Sequence, residues 1–134
     1  MNYEDAARRW AEAWKVGWER LDPERIIALY DADALLSTEP FRDPYVGQDG
    51  IRDYVARAFA EEEDPRVDVG APIVDRDRAA VSWWASLRED GADTTLAGTS
   101  VLRFNAERLV VEQWDAWNMV RQRRNPPHEW GPFR

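Results

Sequence analysis

The chain has 134 residues, of which 44% are hydrophobic and 33% are charged, a composition typical of one globular domain. It contains no Cys, which excludes disulfides, thiolate chemistry and Cys-ligated metal sites. The net charge is −8 and its acidic excess lies within residues 1–65, so binding to a phosphate backbone is not expected.

The first half of the sequence begins with two predicted helices. An amphipathic helix is expected over residues 4–20, because three tryptophans recur there every four residues: Trp10, Trp14 and Trp18. Asp22 and Pro23 then provide an N-cap and a first helical residue. The second helix is expected to run from these residues to about Tyr30.

A strand and a third helix follow. Residues 33–38 have the pattern of a short strand, and a Pro-bounded loop is expected over residues 39–47. Helical periodicity returns over residues 49–62. We expect an acidic run and Pro65 to end this helix, since proline cannot continue it.

After Pro65 the hydrophobic period changes from helical to alternating. Strands are predicted over residues 67–74, 81–88, 94–104 and 109–118. A hairpin turn is expected at Asp90-Gly91, a dipeptide that favours positive φ angles. Helices followed by an antiparallel meander indicate the α+β class, with N-terminal helices packed on a curved antiparallel sheet.

The C-terminal end differs in composition from the rest. Residues 119–134 are rich in Pro and Arg and are interpreted as a tail on a single domain spanning residues 1–134. Trp130 and Phe133 indicate that this tail docks on another surface of the protein.

Several segments resemble the nuclear-transport-factor-2-like superfamily, which includes SnoaL-like cyclases and ketosteroid isomerases. These segments are IIALYDADALL, GQDGIRDYVARAF, LAGTSVLRF and WDAWN. The resemblance covers residues 5–120. It implies a cone, in which the curved sheet and the helices enclose a mostly apolar pocket, and a homodimer built on the outer sheet face. Fold alone does not assign an activity.

The catalytic groups of three related enzyme types do not map onto this sequence. By resemblance, the three isomerase positions fall on Trp14, Thr38 and Ser100, none of which is acidic. Only Glu39, one position out of register, offers an alternative base. The dehydratases use His, and the one His128 lies in the tail, where we expect it to be exposed. The central strand also lacks the acid that the epoxide hydrolases require.

Asp115 remains as the candidate catalytic residue. Alternation along the last strand places Leu109, Val111, Gln113, Asp115 and Trp117 on one face. The resemblance implies that this face is concave and that Asp115 is the base of a SnoaL-like cyclase. A partly desolvated carboxyl should have a raised pKa. Alternatively, Asp115 accepts hydrogen bonds from Trp14, a Tyr hydroxyl or Gln113 and is structural.

Aromatic and polar side chains are predicted to line the pocket, although aromatic stripes are also typical of an ordinary core. The predicted ligand-pocket residues are Trp14, Trp18, Tyr30, Phe41, Tyr54, Trp83, Ser100, Gln113 and Trp117. No metal or other cofactor is predicted. Trp84 and Trp114 fall on the opposite sheet face, which favours burial in a homodimer interface.

Three functions are compatible with these residues. The leading hypothesis is a cofactor-free cyclase, isomerase or dehydratase acting on a small apolar or aromatic molecule. Asp115 would be its base, and Ser100, Gln113 and a Trp N–H would face the substrate carbonyl. The alternatives are a non-catalytic binder of a hydrophobic ligand and a dimeric interaction module filled by its own aromatics. The charged N-terminal residues predict a cytoplasmic protein without membrane or nucleic-acid partners.

Overall fold

A computed structural model describes residues 1–130 of the chain. The elements, in order, are α1 (Tyr3–Glu19), α2 (Pro23–Ile27), β1 (Tyr30–Ser37), β2 (Tyr45–Val46), α3 (Gly47–Glu61), β3 (Glu62–Val69), β4 (Ile73–Asp75), β5 (Arg78–Glu89), β6 (Ala92–Phe104) and β7 (Val110–Val120). None of the helices in these residues has the length and hydropathy needed to cross a membrane.

The strands form one curved, open sheet in the order β2-β1-β7-β6-β5-β3, with β4 paired beside β5. The predicted α+β class is confirmed. One pairing differs from the expected antiparallel pattern, because β1 runs parallel to β7. Helix α3 carries the chain from the β2 edge to the β3 edge, and the meander then returns with β7 beside β1 in the same direction.

The second helix is shorter than predicted. It ends at Ile27, and Tyr30 is instead the first residue of β1, where it pairs with Val110. The backbone N–H of Val110 also donates to the carbonyl of Leu29 at 2.9 Å. Pairing with β7 thus overrides local helix propensity at this boundary.

The acidic run after α3 does not form a loop. Glu62 begins β3, and Pro65 lies within that strand, where the pairing with β5 shifts register between Glu63 and Arg66. Asp64 has a positive φ of 51° at the same place. A bulge on an edge strand accommodates proline, because its missing N–H interrupts no central ladder.

The predicted alternation along the last strand is right from Gln113 onwards and wrong before it. Phe104 pairs with Val110 while Arg103 pairs with Glu112, so Val111 is an extra, bulged residue. Val110 is therefore buried in the core, whereas Val111 is partly exposed. Downstream of the bulge, the expected alternation holds.

The predicted hairpin is present with a two-residue loop. Glu89 pairs with Ala92, and Asp90 and Gly91 have φ angles of 51° and 76°. Two consecutive positive φ angles are those of a type I′ turn, whose twist matches that of the flanking strands. This turn sets the register of β5 against β6.

Helix α1 lies against the sheet and α2 and encloses one side of the fold. A capping box at Asn2 and Asp5 starts it, and its apolar face buries Ala7, Trp10 and Ala11. The opposite wall comes from α3, which buries Ile51 and Val55 against the same core. The sheet, α1 and α3 leave an unfilled space between them.

Candidate active site

The space between the helices and the sheet is a cavity of about 180 Å³. Its lining residues come from α1, α3, five of the strands and the loop after β1, and many of them are aromatic. The aromatic lining residues are Trp10, Trp14, Trp18, Tyr45, Tyr54, Trp83 and Trp117. An apolar cavity of about 150 Å³ accommodates benzene, so this volume suits a ligand of about one ring.

Asp115 lies in the cavity wall at the centre of β7. Its Oδ1 accepts hydrogen bonds from Ser100 Oγ at 2.6 Å and from Gln113 Nε2 at 2.9 Å. No donor among residues 1–130 contacts its Oδ2. Burial raises the pKa of Asp115 to about 6, and the two hydrogen bonds oppose that rise. The two donors thus hold the side chain through Oδ1 alone.

A buried network fixes the donors of Asp115. The Tyr30 hydroxyl accepts from Trp10 Nε1 at 3.2 Å and Trp14 Nε1 at 3.0 Å, and it donates to Gln113 Oε1. This orients the amide so that its nitrogen faces Asp115. Tyr30 itself is fully buried and lies behind the cavity wall rather than in it. Burial raises its pKa, so the phenol stays protonated.

The donors expected to face a substrate carbonyl have protein partners instead. Ser100 donates to Asp115 and accepts from Trp83 Nε1 at 3.0 Å, and Trp14 Nε1 is bound to Tyr30. That part of the prediction was wrong, since each of these hydrogens is used within the network. They position the Asp115 carboxyl group, and a molecule bound in the cavity would need a different donor.

The Tyr54 hydroxyl is such a donor. Tyr54 projects from α3 into the cavity wall, and its hydroxyl has no hydrogen-bond partner among the described residues. Burial and the nearby carboxylates of Asp115 and Glu62 raise its pKa, so it remains a neutral phenol that can donate.

Two of the predicted pocket residues, Tyr30 and Phe41, do not line the main cavity. Trp14, Trp18, Tyr54, Trp83, Ser100, Gln113 and Trp117 all line it. Phe41 is fully exposed, at 102% of its reference accessibility. It sits on the turn closed by Arg42 N–H to Glu39 O, which directs it outwards to a second depression beside β7.

Gly98 lies between two tryptophans that line the cavity. It lies on β6 opposite Trp83 on β5 and Trp117 on β7. A Cβ at this position would lie 2.3 Å from Ala116 O and 2.7 Å from Trp117 Cβ. The absent side chain therefore lets the two indole rings flank the strand.

Glu62 is the functional candidate that the sequence did not reveal. It accepts a hydrogen bond from Trp18 Nε1 at 2.8 Å and lines the cavity. Burial raises its pKa to about 7; the Trp18 hydrogen bond opposes this, and the carboxylates of Glu89 and Glu61 add to it. Simple alternation from Val67 would have placed Glu63 inwards, and the bulge shifts that position to Glu62.

The tail crosses the outer face of the sheet. Trp84 Nε1 donates to Arg124 O at 2.9 Å, and its ring meets Trp130 with centroids 6.0 Å apart. The predicted docking of Trp130 is thus on the convex side, and Phe133 lies outside the described residues. His128 is exposed and distant from the cavity. Among residues 1–130, no three His, Asp or Glu side chains are arranged to hold a metal ion.

Comparison with known proteins identifies the sequence family. The model of the SnoaL-like domain matches residues 7–112, which is most of the chain. No curated protein matches the sequence.

Solved structures with low sequence identity share the fold. A ketosteroid-isomerase-like protein from Catenulispora acidiphila, in complex with trimethylamine, has a TM-score of 0.70 at 19% identity, with 78% of this chain and 82% of that chain covered. An NTF2-like protein of unknown function from Exiguobacterium has a TM-score of 0.72 at 16% identity, covering 84% and 98%. The epoxide hydrolase/cyclase-like enzyme SalBIII, which acts in pyran ring formation in salinomycin, has a TM-score of 0.74 at 14% identity, covering 85% and 91%.

Proposed function

The chain belongs to the SnoaL-like domain family, and we propose that it is a cofactor-free enzyme in which Asp115 removes a proton from a small organic substrate. The observation that carries this proposal is that only one oxygen of the Asp115 carboxyl group accepts hydrogen bonds from residues 1–130. Ser100 and Gln113 fix Oδ1, Oδ2 accepts from no donor among residues 1–130, and Asp115 is one of the residues that line the cavity. A base of this kind contributes roughly 10²–10⁴-fold to rate.

The proposed step is enolisation of a carbonyl compound. Asp115 Oδ2 takes the proton from the carbon next to the carbonyl, and the electron pair of the C–H bond moves to the carbonyl oxygen. The Tyr54 hydroxyl donates a hydrogen bond to that developing enolate. Return of the proton at another carbon gives isomerisation, attack of the enolate within the same molecule gives cyclisation, and loss of a β-hydroxyl gives dehydration.

The cavity volume limits the substrate. About 180 Å³ is below the 300–1,000 Å³ typical of sites for drug-sized molecules. We therefore propose a substrate with about one ring, or one ring of a larger molecule that extends through the mouth. The similar structures of a cyclase-like enzyme and of a trimethylamine complex support a small organic ligand in this fold.

A non-catalytic ligand-binding protein is the second candidate. The hydrogen bonds from Ser100 and Gln113 to Asp115 favour it, because they also satisfy a purely structural carboxylate. The two functions predict the same cavity and differ only in what Asp115 does to a bound molecule.

A nitrobenzisoxazole tests the base without knowledge of the natural substrate. Removal of its one acidic C–H proton breaks the N–O bond and releases a coloured cyanophenolate. We expect the wild type to accelerate this reaction, with a rate that rises through the Asp115 pKa of about 6, since only the ionised form accepts the proton. Asp115→Asn should lose roughly 10²–10⁴-fold.

Glu39→Gln is the matched control. Glu39 lies at the cavity wall and is the alternative base, and its side chain makes no hydrogen bond within residues 1–130. This variant should retain the wild-type rate. Equal rates for wild type and Asp115→Asn would overturn the proposal. If the probe still quenches the Trp fluorescence of both proteins, the result would favour the ligand-binding function instead.

We also propose a homodimer through the outer sheet face. Trp114 lies on that face and is 47% exposed, whereas Trp84 is covered by the tail of its own chain. Sedimentation of wild type and Trp114→Arg tests this. We expect the wild type to sediment as a dimer and Trp114→Arg to sediment as a monomer. A monomeric wild type would contradict the proposal.

A further inference from the structure

The end of the cavity near α1 contains a carboxylate with no cationic partner. Glu62 has one hydrogen bond, from Trp18, and no Lys, Arg or His among residues 1–130 forms an ion pair with it. The neighbouring acids do have partners, since Arg88 lies 3.8 Å from Glu63 and Arg123 lies 3.8 Å from Asp64. A partly buried carboxylate without a counter-ion is uncommon in proteins.

The cavity as a whole also has few cationic groups. Among residues 1–130, Arg42 is the one cationic residue that lines it; this side chain is exposed and lies over the Tyr45 ring at 5.6 Å from the centroid. Asp115 also has no ion-pair partner among the described residues. The lining thus includes three acids, Glu39, Glu62 and Asp115, and neither Glu62 nor Asp115 has a cationic partner among residues 1–130.

Aromatic side chains line the same cavity as Glu62. Trp14 and Trp18 are stacked with ring centroids 5.2 Å apart, and the edge of Phe59 meets Trp18 at 4.9 Å. The Tyr54 phenol, whose hydroxyl has no partner among residues 1–130, lies in the same wall. Aromatic rings together with a carboxylate suit alkylated ammonium groups, because ring faces attract a cation that has few or no N–H groups to donate to the site.

We infer that Glu62, with the rings of Trp14, Trp18 and Tyr54, is a subsite for an organic cation, a quaternary or protonated tertiary amine. This deepens the proposed function, on which it rests, by giving the substrate class. The ligand places its ammonium group against Glu62 and its reacting carbon towards Asp115. The carboxylate of Glu62 is satisfied by the ligand's charge when the site is occupied and by a proton when it is empty, consistent with its raised pKa.

Choline and its uncharged isostere 3,3-dimethylbutan-1-ol test the subsite by calorimetry on the full-length protein. The two molecules have the same shape and differ by one positive charge. We expect choline to bind at least roughly tenfold more tightly than the alcohol, in the range of desolvated cation–π and charge interactions. Equal affinities, or tighter binding of the alcohol, would overturn the inference.

The variant Glu62→Gln tests whether the preference for choline arises at Glu62. It should remove the preference for choline and leave the affinity for the alcohol unchanged, which also shows that the variant is folded. Glu63→Gln, on the exposed face of the same strand, should behave as wild type. If Glu62→Gln retains the preference, the cation binds elsewhere and the subsite is wrong.

The two proposals fail separately. Loss of choline preference with intact proton abstraction from the nitrobenzisoxazole would remove the cation subsite and retain Asp115 as base. A preference for choline without any proton abstraction would retain the subsite in a binding protein.

Discussion

Replacing Asp115 by Asn is expected to stabilise the protein at neutral and alkaline pH. The folded chain raises the pKa of this carboxyl from 3.8 to about 6, so the folded state holds the proton more tightly than the unfolded state. Ionisation therefore costs stability. The cost is absent below pH 3.8, grows as the pH rises, and is complete above about pH 6.

The size of the pKa shift determines the expected change in the free energy of unfolding. A difference of about two pKa units corresponds to about 3 kcal/mol, since one unit is worth 1.36 kcal/mol. An Asn side chain has the same shape, and its Oδ1 can accept the hydrogen bonds that Ser100 and Gln113 donate. We expect Asp115→Asn to exceed the wild type by up to about 3 kcal/mol at pH 8 and to match it near pH 4.

Urea unfolding of both proteins at the two pH values measures the difference, in which all other titrating groups cancel. Asp53→Asn, on the exposed face of α3, is the control and should change the free energy of unfolding only slightly, because its side chain is exposed. A variant less stable than wild type at pH 8, or a difference that is the same at both pH values, would show that burial of the charge is not what Asp115 contributes. Stability gained with loss of activity would mark a group retained for function.

Three further substitutions test the supports of the cavity. Tyr30→Phe leaves Gln113 Oε1 and two indole N–H groups without their buried partner, so the free energy of unfolding by urea should fall by about 1–3 kcal/mol. Gly98→Ala places a methyl group against the backbone of Ala116 and should cost about 1–3 kcal/mol, together with a shift in Trp fluorescence as Trp117 moves; a cost near zero would contradict the packing. Gly91→Ala meets no atom within 4 Å but must adopt a φ of 76°, so its cost should be about 1–2 kcal/mol without any change in fluorescence.

The hydrophobic periodicity of the sequence predicted most of the fold. The four-residue spacing of the α1 tryptophans placed Trp14 and Trp18 in the cavity wall, and alternation along β7 placed Gln113, Asp115 and Trp117 there. These predictions succeeded because each side chain's direction follows from regular backbone geometry. The Asp90-Gly91 turn was equally local, since two residues determine it.

The remaining features depend on contacts between distant segments. Tyr30 joins β1 because β7 is there to pair with it, and Glu62 faces inwards because of a bulge that the sequence does not signal. Phe41 points outwards because of the turn that follows β1. The commitment of Ser100 to Asp115 could not be foreseen from the sequence, because it requires the register of β6 against β7.

Asp115 and Glu62 differ in how strongly the sheet constrains their backbone. Asp115 is on β7, which has a hydrogen-bonded neighbour on each side, whereas Glu62 begins β3, an edge strand interrupted at Asp64 and Pro65. Local opening of an edge segment costs less free energy than opening of a central strand. Amide hydrogens near Glu62 should therefore exchange with solvent sooner than those around Asp115. The proposed base thus lies where the backbone is most constrained, and the acid of the proposed ammonium subsite lies on a segment that opens more readily.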